Sequence, residues 1–245
     1  MAHFDIPFVD KNSERKMLAS RIKQIIDQLW GRIFTASERT GDFLFRDGQS
    51  DISKIDEGTW TVFGKSDYWG YREQYCWFKQ SITVPAAFAG QTVVYDVTPF
   101  PDYRWETRGQ QFIVFVNGKM VQGIDSNHTY IILTDCALGG ETYDIALNAY
   151  CDDWEFKGQS QLAAFMRVLD KDVQDLYYDL MVPWETAHLY SHDDLQRVDI
   201  IKYLNNAVNM LELCTADMAV FKDSVQKARA YLEETVYGAD NGVYT

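Results

Sequence analysis

The sequence predicts an α+β protein, in which an N-terminal helix is followed by an antiparallel β-sandwich and then by a C-terminal helical bundle. Three observations lead to this prediction. Apolar residues recur at helical spacing from Met17 to Leu29. They alternate with polar residues at a period of two from about residue 58 to residue 151, and they return to helical spacing after Gly158. Several short alternating segments joined by turn residues are typical of an antiparallel sandwich.

The first helix is predicted to begin at Asn12 or Ser13, since either side chain can cap an N-terminus, and to end at Trp30-Gly31. Its apolar residues recur three and four positions apart, which places them on one helical face. These residues are Met17, Leu18, Ile22, Ile25, Ile26 and Leu29.

The strands are predicted from apolar residues that alternate with polar ones between proline and glycine residues. Asn117-Gly118 is the strongest single turn signal, because both residues tolerate the positive φ that a type I′ hairpin requires. The inward-facing residues are predicted to be Cys76, Phe78, Ile82, Val84, Val93, Tyr95, Val97, Phe112, Val114, Val116, Tyr143, Ile145, Leu147 and Ala149.

Three helices are predicted after the strands. Ser160 is expected to cap the first, and Pro183 is expected to end it, because proline cannot continue the backbone hydrogen bonds. Ser191 and Asp194 have the spacing of a capping box for the second helix, and the third follows Thr215.

The last helix is expected to end at Gly238 as its C′ residue. A boundary near residue 157 then divides the chain into two predicted domains. Residues 1–157 hold the first helix and the sandwich, and residues 158–245 hold the helical linker region.

The charge balance limits the classes of partner. The chain has 36 acidic and 23 basic residues and a net charge of −13, whereas a protein that follows a phosphate backbone needs a basic face. Nucleic acid and anionic membrane surfaces are therefore not expected partners.

The expected compartment is the cytoplasm. No stretch of about 20 apolar residues is present to span a membrane, and the N-terminus does not have the pattern of a signal peptide. The cysteines lack CxxC spacing and are expected to be reduced thiols. They are Cys76, Cys136, Cys151 and Cys214.

Motifs for catalysis and metal binding are absent from the sequence. It contains no GxSxG, P-loop, GxGxxG or HExxH pattern. His188 and His192 are four residues apart, but the predicted cap at Ser191 breaks the helix between them, so no metal site is predicted. A glycosidase needs two carboxyl groups across the scissile bond, and adjacent acids in one loop do not provide them. The acids considered are Asp152, Asp153 and Glu155.

Aromatic residues are frequent, at 15% of the chain, and they crowd the segment from residue 60 to residue 77. Flat aromatic faces can stack on sugar rings, but they can also fill a core or a joint with another domain. Trp69 and Trp77 are the candidates for a sugar or interdomain contact, and both interpretations stay open at this point.

The predicted hairpin and the loop after it form a second candidate region. Gly123 suggests a bulge or a close backbone approach. Asp125 and His128 either fix the loop by hydrogen bonds or face a ligand or a partner domain. The candidate contact residues here are Asn117, Gly118, Gln122, Gly123, Asp125 and His128.

Five short motifs stand in the order and spacing of a known family. They are Trp69-Gly70, Cys76-Trp77-Phe78, Ile82-Thr83-Val84-Pro85, Gly90-Gln91, and Val116-Asn117-Gly118 with Gln122-Gly123-Ile124-Asp125. With these motifs, residues 18–235 resemble the N-terminal region of glycoside hydrolase family 38 α-mannosidases, in the cytosolic and bacterial branch. The hairpin with its Gln-Gly tail is the most specific part of the resemblance.

The resemblance implies an accessory sandwich, galactose-binding or jelly-roll-like, and a helical linker. In that family a zinc-containing catalytic barrel follows, with a His-x-Asp zinc-ligand motif and an aspartate nucleophile. His192-Asp193-Asp194 does not stand in for that motif, because it lies among the linker helices. No catalytic or zinc residue of the family can therefore be placed on this chain.

The function expected from the resemblance is that of a non-catalytic N-terminal region. The chain alone is not expected to be an enzyme or to hold a cofactor. The parent enzyme would hydrolyse terminal α-mannosidic bonds with retention, with zinc in its catalytic domain. The expected partner is that catalytic domain, and the surface it leaves uncovered would also allow a homo-oligomer. The alternatives are an independent carbohydrate-binding sandwich module and a stand-alone enzyme that uses the acidic loops.

Overall fold

The computed structural model describes residues 11–98, 110–125, 127–152, 160–191 and 194–238, with side chains from residue 16 onward. The fold class is the predicted one: two antiparallel sheets and four helices make an α+β protein. The chain divides into two compact units. The sandwich unit is Phe34–Leu169, and the helical unit combines Met1–Ile33 with Asp170–Thr245.

The sandwich unit has a four-stranded sheet, in the order β1-β10-β5-β8, and a six-stranded sheet, in the order β3-β2-β4-β9-β6-β7. All the strand pairs are antiparallel. The strands are β1 Phe34–Arg39, β2 Phe43–Asp47, β3 Thr61–Phe63, β4 Gln74–Thr83, β5 Val93–Thr98, β6 Gln110–Val116, β7 Lys119–Ile124, β8 Tyr130–Thr134, β9 Thr142–Cys151 and β10 Ala163–Leu169.

The core of the sandwich unit forms from alternate residues of both sheets, because successive side chains of a strand point to opposite faces. All the residues predicted to face inward on β4, β5, β6 and β9 lie in this core or pack against it. Strand β5 is buried on both faces along most of its length. The prediction of strands from the period of two is therefore confirmed.

In the described residues of the helical unit there are four α-helices, three of which begin with an aspartate cap. Asp170, Asp194 and Asp217 each accept a hydrogen bond from a backbone N–H in the first turn of the helix that follows. The helices are α1 Lys11–Trp30, α2 Lys171–Ala187, α3 Leu195–Asn209 and α4 Met218–Leu232, with a final π-helical turn at Glu233–Tyr237. Among the described residues, no helix combines the length and the apolar character that a membrane crossing requires.

The helix predicted from Ser160 is wrong in its first part. Ala163–Leu169 forms strand β10 between β1 and β5, and the helix begins only at Lys171. A short apolar run fits a buried strand as well as a helix face, so periodicity alone does not separate them. Ser160 forms an isolated β-bridge with Trp69 instead of a cap.

Pro183 does not end α2, which continues to Ala187. Pro183 is buried in the helical unit, so the apolar surface of its ring contributes hydrophobic stabilisation that acts against the loss of a backbone N–H.

Other helix boundaries also differ from the predicted ones. Helix α1 begins at Lys11, so Asn12 and Ser13 lie inside it. Gly238 has φ −62 and ψ 137, which is extended and not the left-handed conformation of a C′ glycine. The two units also differ from the predicted domains 1–157 and 158–245, because α1 groups with the C-terminal helices and the sandwich continues to Leu169.

Candidate functional site

Trp69 and Trp77 are both buried in the sandwich unit. The Trp69 ring packs against Phe78 and Phe112, with centroids 5.2 and 5.3 Å away, and the Trp77 ring packs against Phe115 at 5.6 Å. Neither indole presents a face to a sugar or to another domain. The structure thus corrects their assignment as contact residues, and the alternative of internal packing describes them.

The Asn117-Gly118 turn joins β6 and β7 as the sequence predicts. The φ angles of the two residues are 49 and 76, as a type I′ hairpin requires. The Asn117 side-chain oxygen accepts a hydrogen bond from the backbone N–H of Asp144 at 2.9 Å. These two residues therefore shape and anchor the turn.

Strand β7 forms one edge of the six-stranded sheet, and within the described residues it pairs with β6 alone. Its residues from Lys119 to Gly123, including Gln122, are all exposed. Gly123 has no positive φ, and a Cβ added there would meet its nearest neighbour, the Phe112 carbonyl oxygen, at 3.8 Å. The irregularity of the hairpin lies between Val114 and Phe115, not at Gly123.

Asp125 and His128 close the loop after β7 onto itself. One carboxylate oxygen of Asp125 accepts from the N–H groups of Asn127 at 2.8 Å and His128 at 2.9 Å, and it lies 3.2 Å from the His128 imidazole Nδ1. Partial burial acts to raise the pKa of Asp125, but these hydrogen bonds lower it below its usual value. Both side chains therefore fix the loop, as one of the two interpretations predicts.

Two tyrosines that the sequence does not single out as a pair lie on the outer face of the six-stranded sheet. Tyr75 on β4 is the direct cross-strand partner of Tyr150 on β9, and their ring centroids are 4.6 Å apart. The strand neighbours Cys76 and Ala149 face the core, so the two rings stand on the opposite, outer surface. Aromatic cross-strand pairs stabilise a sheet. Tyr75 nevertheless remains 40% exposed.

The segment before Tyr75 is held in one conformation by Gln74. Its side-chain oxygen accepts from the backbone N–H groups of Gly70 at 2.8 Å and Tyr71 at 2.9 Å, and its amide nitrogen donates to Asp47 at 2.8 Å. Glu73, within this segment, has φ 51, which is uncommon for a residue other than glycine. Such strained residues persist only where the surrounding structure fixes them, and they concentrate at functional sites.

The Tyr150 hydroxyl holds its proton more tightly than a free tyrosine does. The pKa of the Tyr150 hydroxyl is raised above its usual value. Partial burial is the main cause, and the neighbouring Tyr75 and the charges of Glu73 and Asp152 act in the same direction. The pair is difficult to find from sequence, because it depends on the register between two strands that are 75 residues apart along the chain.

A second aromatic feature of the outer face has a structural explanation. The Arg46 guanidinium and the Lys79 ammonium lie 4.7 and 4.5 Å from the Trp60 ring centroid. Arg46 also donates to the carbonyl of Lys54 at 3.2 Å and to the hydroxyl of Ser50 at 2.6 Å. These contacts close the connection between β2 and β3 onto the sheet.

Of the residues considered for metal binding and catalysis, the structure describes only His188 and Asp152. The His188 imidazole contacts the carbonyl of Trp184 at 2.8 Å, whereas His192 lies outside the described residues. Asp153 and Glu155 also lie outside them. In the part of the chain that the structure describes, no three His, Cys, Asp or Glu side chains are placed to hold a metal ion.

Comparison with known proteins gives no match to a protein-family model and none to a curated protein. Solved structures that resemble the chain include a Ruminococcus gnavus β-glucuronidase, at 8% identity over 56% of this chain and 29% of that chain, with a TM-score of 0.38. Lactobacillus rhamnosus β-glucuronidase matches at 9% identity over 55% of this chain and 28% of that chain, also with a TM-score of 0.38. The chain thus spans less than a third of the length of each enzyme.

Proposed function

We propose that the chain is a non-catalytic accessory region of a glycoside hydrolase, of the family 38 α-mannosidase type. In this proposal the sandwich and the helices support a separate catalytic domain. That domain would bind the zinc and hydrolyse terminal α-mannosidic bonds. The observation that carries the proposal is the β6–β7 hairpin, because its residues are the most specific part of the family resemblance and form a defined turn and loop.

The exposed edge of β7 is the surface that we assign to contact with the catalytic domain. Met120 and Val121 are exposed apolar residues on this edge, next to backbone groups that pair with no described strand. A long apolar edge in water favours unwanted strand pairing, and proteins usually cover it or place charges on it. A second domain seated on β7 would cover these residues.

An activity assay tests the first part of the proposal. The purified chain should not hydrolyse an aryl α-mannoside, with or without added zinc, whereas the longer natural chain that contains it should. Hydrolysis that follows the purified chain through chromatography would contradict the accessory role. So would a gene in which a stop codon directly follows Thr245.

A matched pair of variants tests the assigned surface. Met120 on β7 and Val62 on β3 are each 69% exposed, at opposite edges of the same sheet. Met120→Asp should lower the melting temperature of the longer enzyme but leave that of the isolated chain unchanged. Val62→Asp should change neither. Equal effects of the two variants in the longer enzyme would show that β7 is not the contact surface.

A further inference from the structure

The tip of the β6–β7 hairpin places an asparagine directly before a glycine, an order in which the chain can modify itself. The backbone nitrogen that follows an asparagine can attack the side-chain amide carbon, and glycine hinders this attack least because it has no Cβ. The dipeptide occurs at Asn117-Gly118 and at Asn241-Gly242. The second pair lies outside the described residues, whereas Asn117 and Gly118 are both exposed to water at the hairpin tip.

The folded turn holds the two reacting atoms apart. Asn117 has φ 49, and in this left-handed region ψ is also near about +50°. At such a ψ the next backbone nitrogen lies nearly opposite Cβ across the Cα–C bond. The Gly118 nitrogen therefore cannot reach the Asn117 side-chain carbon until the Asn117 backbone leaves the turn conformation.

Two hydrogen bonds to Asp144 keep Asn117 in that conformation. The Asn117 N–H donates to the Asp144 carbonyl at 2.8 Å, and the Asn117 side-chain oxygen accepts from the Asp144 N–H at 2.9 Å. Both bonds must break before the peptide between Asn117 and Gly118 can rotate. Two hydrogen bonds of ordinary strength leave an open fraction on the order of 0.01–0.1.

The side-chain amide is otherwise ready to react. Its nitrogen, which would leave as ammonia, makes no hydrogen bond to any residue that the structure describes. A Cβ built at Gly118 meets no atom within 4 Å, so the approach to the turn is open. The rate then depends on how often the turn opens and not on access to it.

We propose that Asn117 is a deamidation site that the folded turn keeps closed and that local opening of the hairpin tip exposes. In the open turn the Gly118 nitrogen loses its proton to water and bonds to the Asn117 side-chain carbon. The bond from that carbon to the amide nitrogen breaks, and ammonia leaves with a proton taken from water. Water then hydrolyses the five-membered imide to aspartate or isoaspartate, so water is the only other reactant.

The modification changes the hairpin permanently. Isoaspartate adds one carbon to the backbone between positions 117 and 118, and the two-residue turn between Val116 and Lys119 no longer fits. The modified chain also carries one more negative charge. The inference does not rest on the accessory role, because the reaction uses only atoms of the hairpin and water.

The test compares the whole chain folded at neutral pH with the same chain unfolded in guanidinium chloride. Mass spectrometry of peptides, prepared in mild acid to suppress further attack, measures the exchange of NH₂ for OH at each asparagine. In the unfolded chain Asn117 and Asn241 should react at rates within about threefold of each other, because they share one dipeptide. In the folded chain Asn117 should react about tenfold to a hundredfold more slowly than in the unfolded chain. Equal rates at Asn117 in the two states would overturn the proposal.

Hydrogen exchange measures the opening independently. Exchange of the Asn117 N–H, which is bonded to the Asp144 carbonyl, gives the fraction of molecules in which the tip is open. The ratio of the folded to the unfolded deamidation rate should equal this fraction within about threefold. A larger disagreement, including a folded chain that forms no product, would overturn the proposal.

A variant identifies the attacking atom. Gly118→Ala in the unfolded chain should slow the reaction of Asn117 by at least about tenfold, because the added Cβ crowds the nitrogen, and should leave Asn241 unchanged. Gly123→Ala, in the same hairpin, is the matched control and should alter neither rate. An unchanged rate in Gly118→Ala would mean that water attacks the amide directly and would overturn the proposal. These measurements do not involve hydrolysis of a mannoside, so this proposal and the proposed function fail independently.

Discussion

Asn117 and Asp144 are joined by two hydrogen bonds. The Asn117 side-chain oxygen accepts from the Asp144 N–H at 2.9 Å, and the Asn117 N–H donates to the Asp144 carbonyl at 2.8 Å. The tip of the β6–β7 hairpin is thereby tied to β9, the strand next to β6. The turn depends both on these bonds and on the left-handed conformation of Asn117 and Gly118.

Gly118→Val should destabilise the chain by about 1–3 kcal/mol. Gly118 has φ 76, and a Cβ at this position meets no atom within 4 Å, so the loss is conformational rather than steric. The free energy of unfolding can be measured by urea titration followed by circular dichroism. Gly123→Ala, in the same hairpin but without positive φ, should change stability by less than about 0.5 kcal/mol. Equal stability of Gly118→Val and the wild type would show that the turn conformation is wrong.

Trp69→Ala should destabilise the sandwich by about 3–5 kcal/mol, because it removes a buried ring that packs on Phe78 and Phe112. Tyr71→Ala is the control, since Tyr71 is exposed two residues away and should change stability by less than about 0.5 kcal/mol. Urea unfolding separates the two variants. A small effect at Trp69 would mean that its ring is free to contact a ligand, as the sequence alone leaves open.

Local patterns predict much of the sandwich. The Asn117-Gly118 turn and the alternation along β4 and β9 depend on residues close together in the chain, so they can be recognised in the sequence. The run Ala163–Leu169 is different, because its strand conformation depends on pairing with β1 and β5. The sequence contains no local signal of that pairing.

The candidate site is harder to predict for the same reason. Period two places Tyr75 and Trp77 on the outer face of β4, yet Trp77 is buried and Tyr75 is partly exposed. Which outer residues remain exposed depends on the packing around each of them, which an alternation pattern does not contain. The pairing of Tyr75 with Tyr150 likewise requires the register of β4 against β9.

The stability of the chain should depend on the protonation of Asp96. This carboxyl is buried on β5, 2.9 Å from the Arg167 guanidinium. Burial raises its pKa above the usual value of 3.8, although Arg167 acts to lower it. The folded state therefore holds the proton more tightly than the unfolded chain. The resulting stabilisation is complete below the unfolded pKa and is lost as the pH rises through the folded one.

Comparison with Asp96→Asn isolates this effect, because asparagine does not titrate. As the pH rises above about 4, the unfolding free energy of the wild type relative to the variant should fall. Leucine at position 96 also does not titrate, although it packs differently. The difference in unfolding free energy between the wild type and Asp96→Leu should therefore change with pH as steeply as the difference from Asp96→Asn, while its absolute size differs. If the unfolding free energy of the wild type relative to Asp96→Asn stays constant or rises with pH, the pKa of Asp96 is not raised in the folded state.

Glu73→Gly should stabilise the folded chain by up to about 1 kcal/mol, because glycine adopts the φ of 51 without strain. Glu73→Val should destabilise it by about 1–3 kcal/mol, since a β-branched side chain is least tolerant of this conformation. Glu73→Gln retains the same conformational demand and should lie within about 0.5 kcal/mol of the wild type. Urea unfolding gives all three values, and equal stability of the glycine and valine variants would show that Glu73 is not strained.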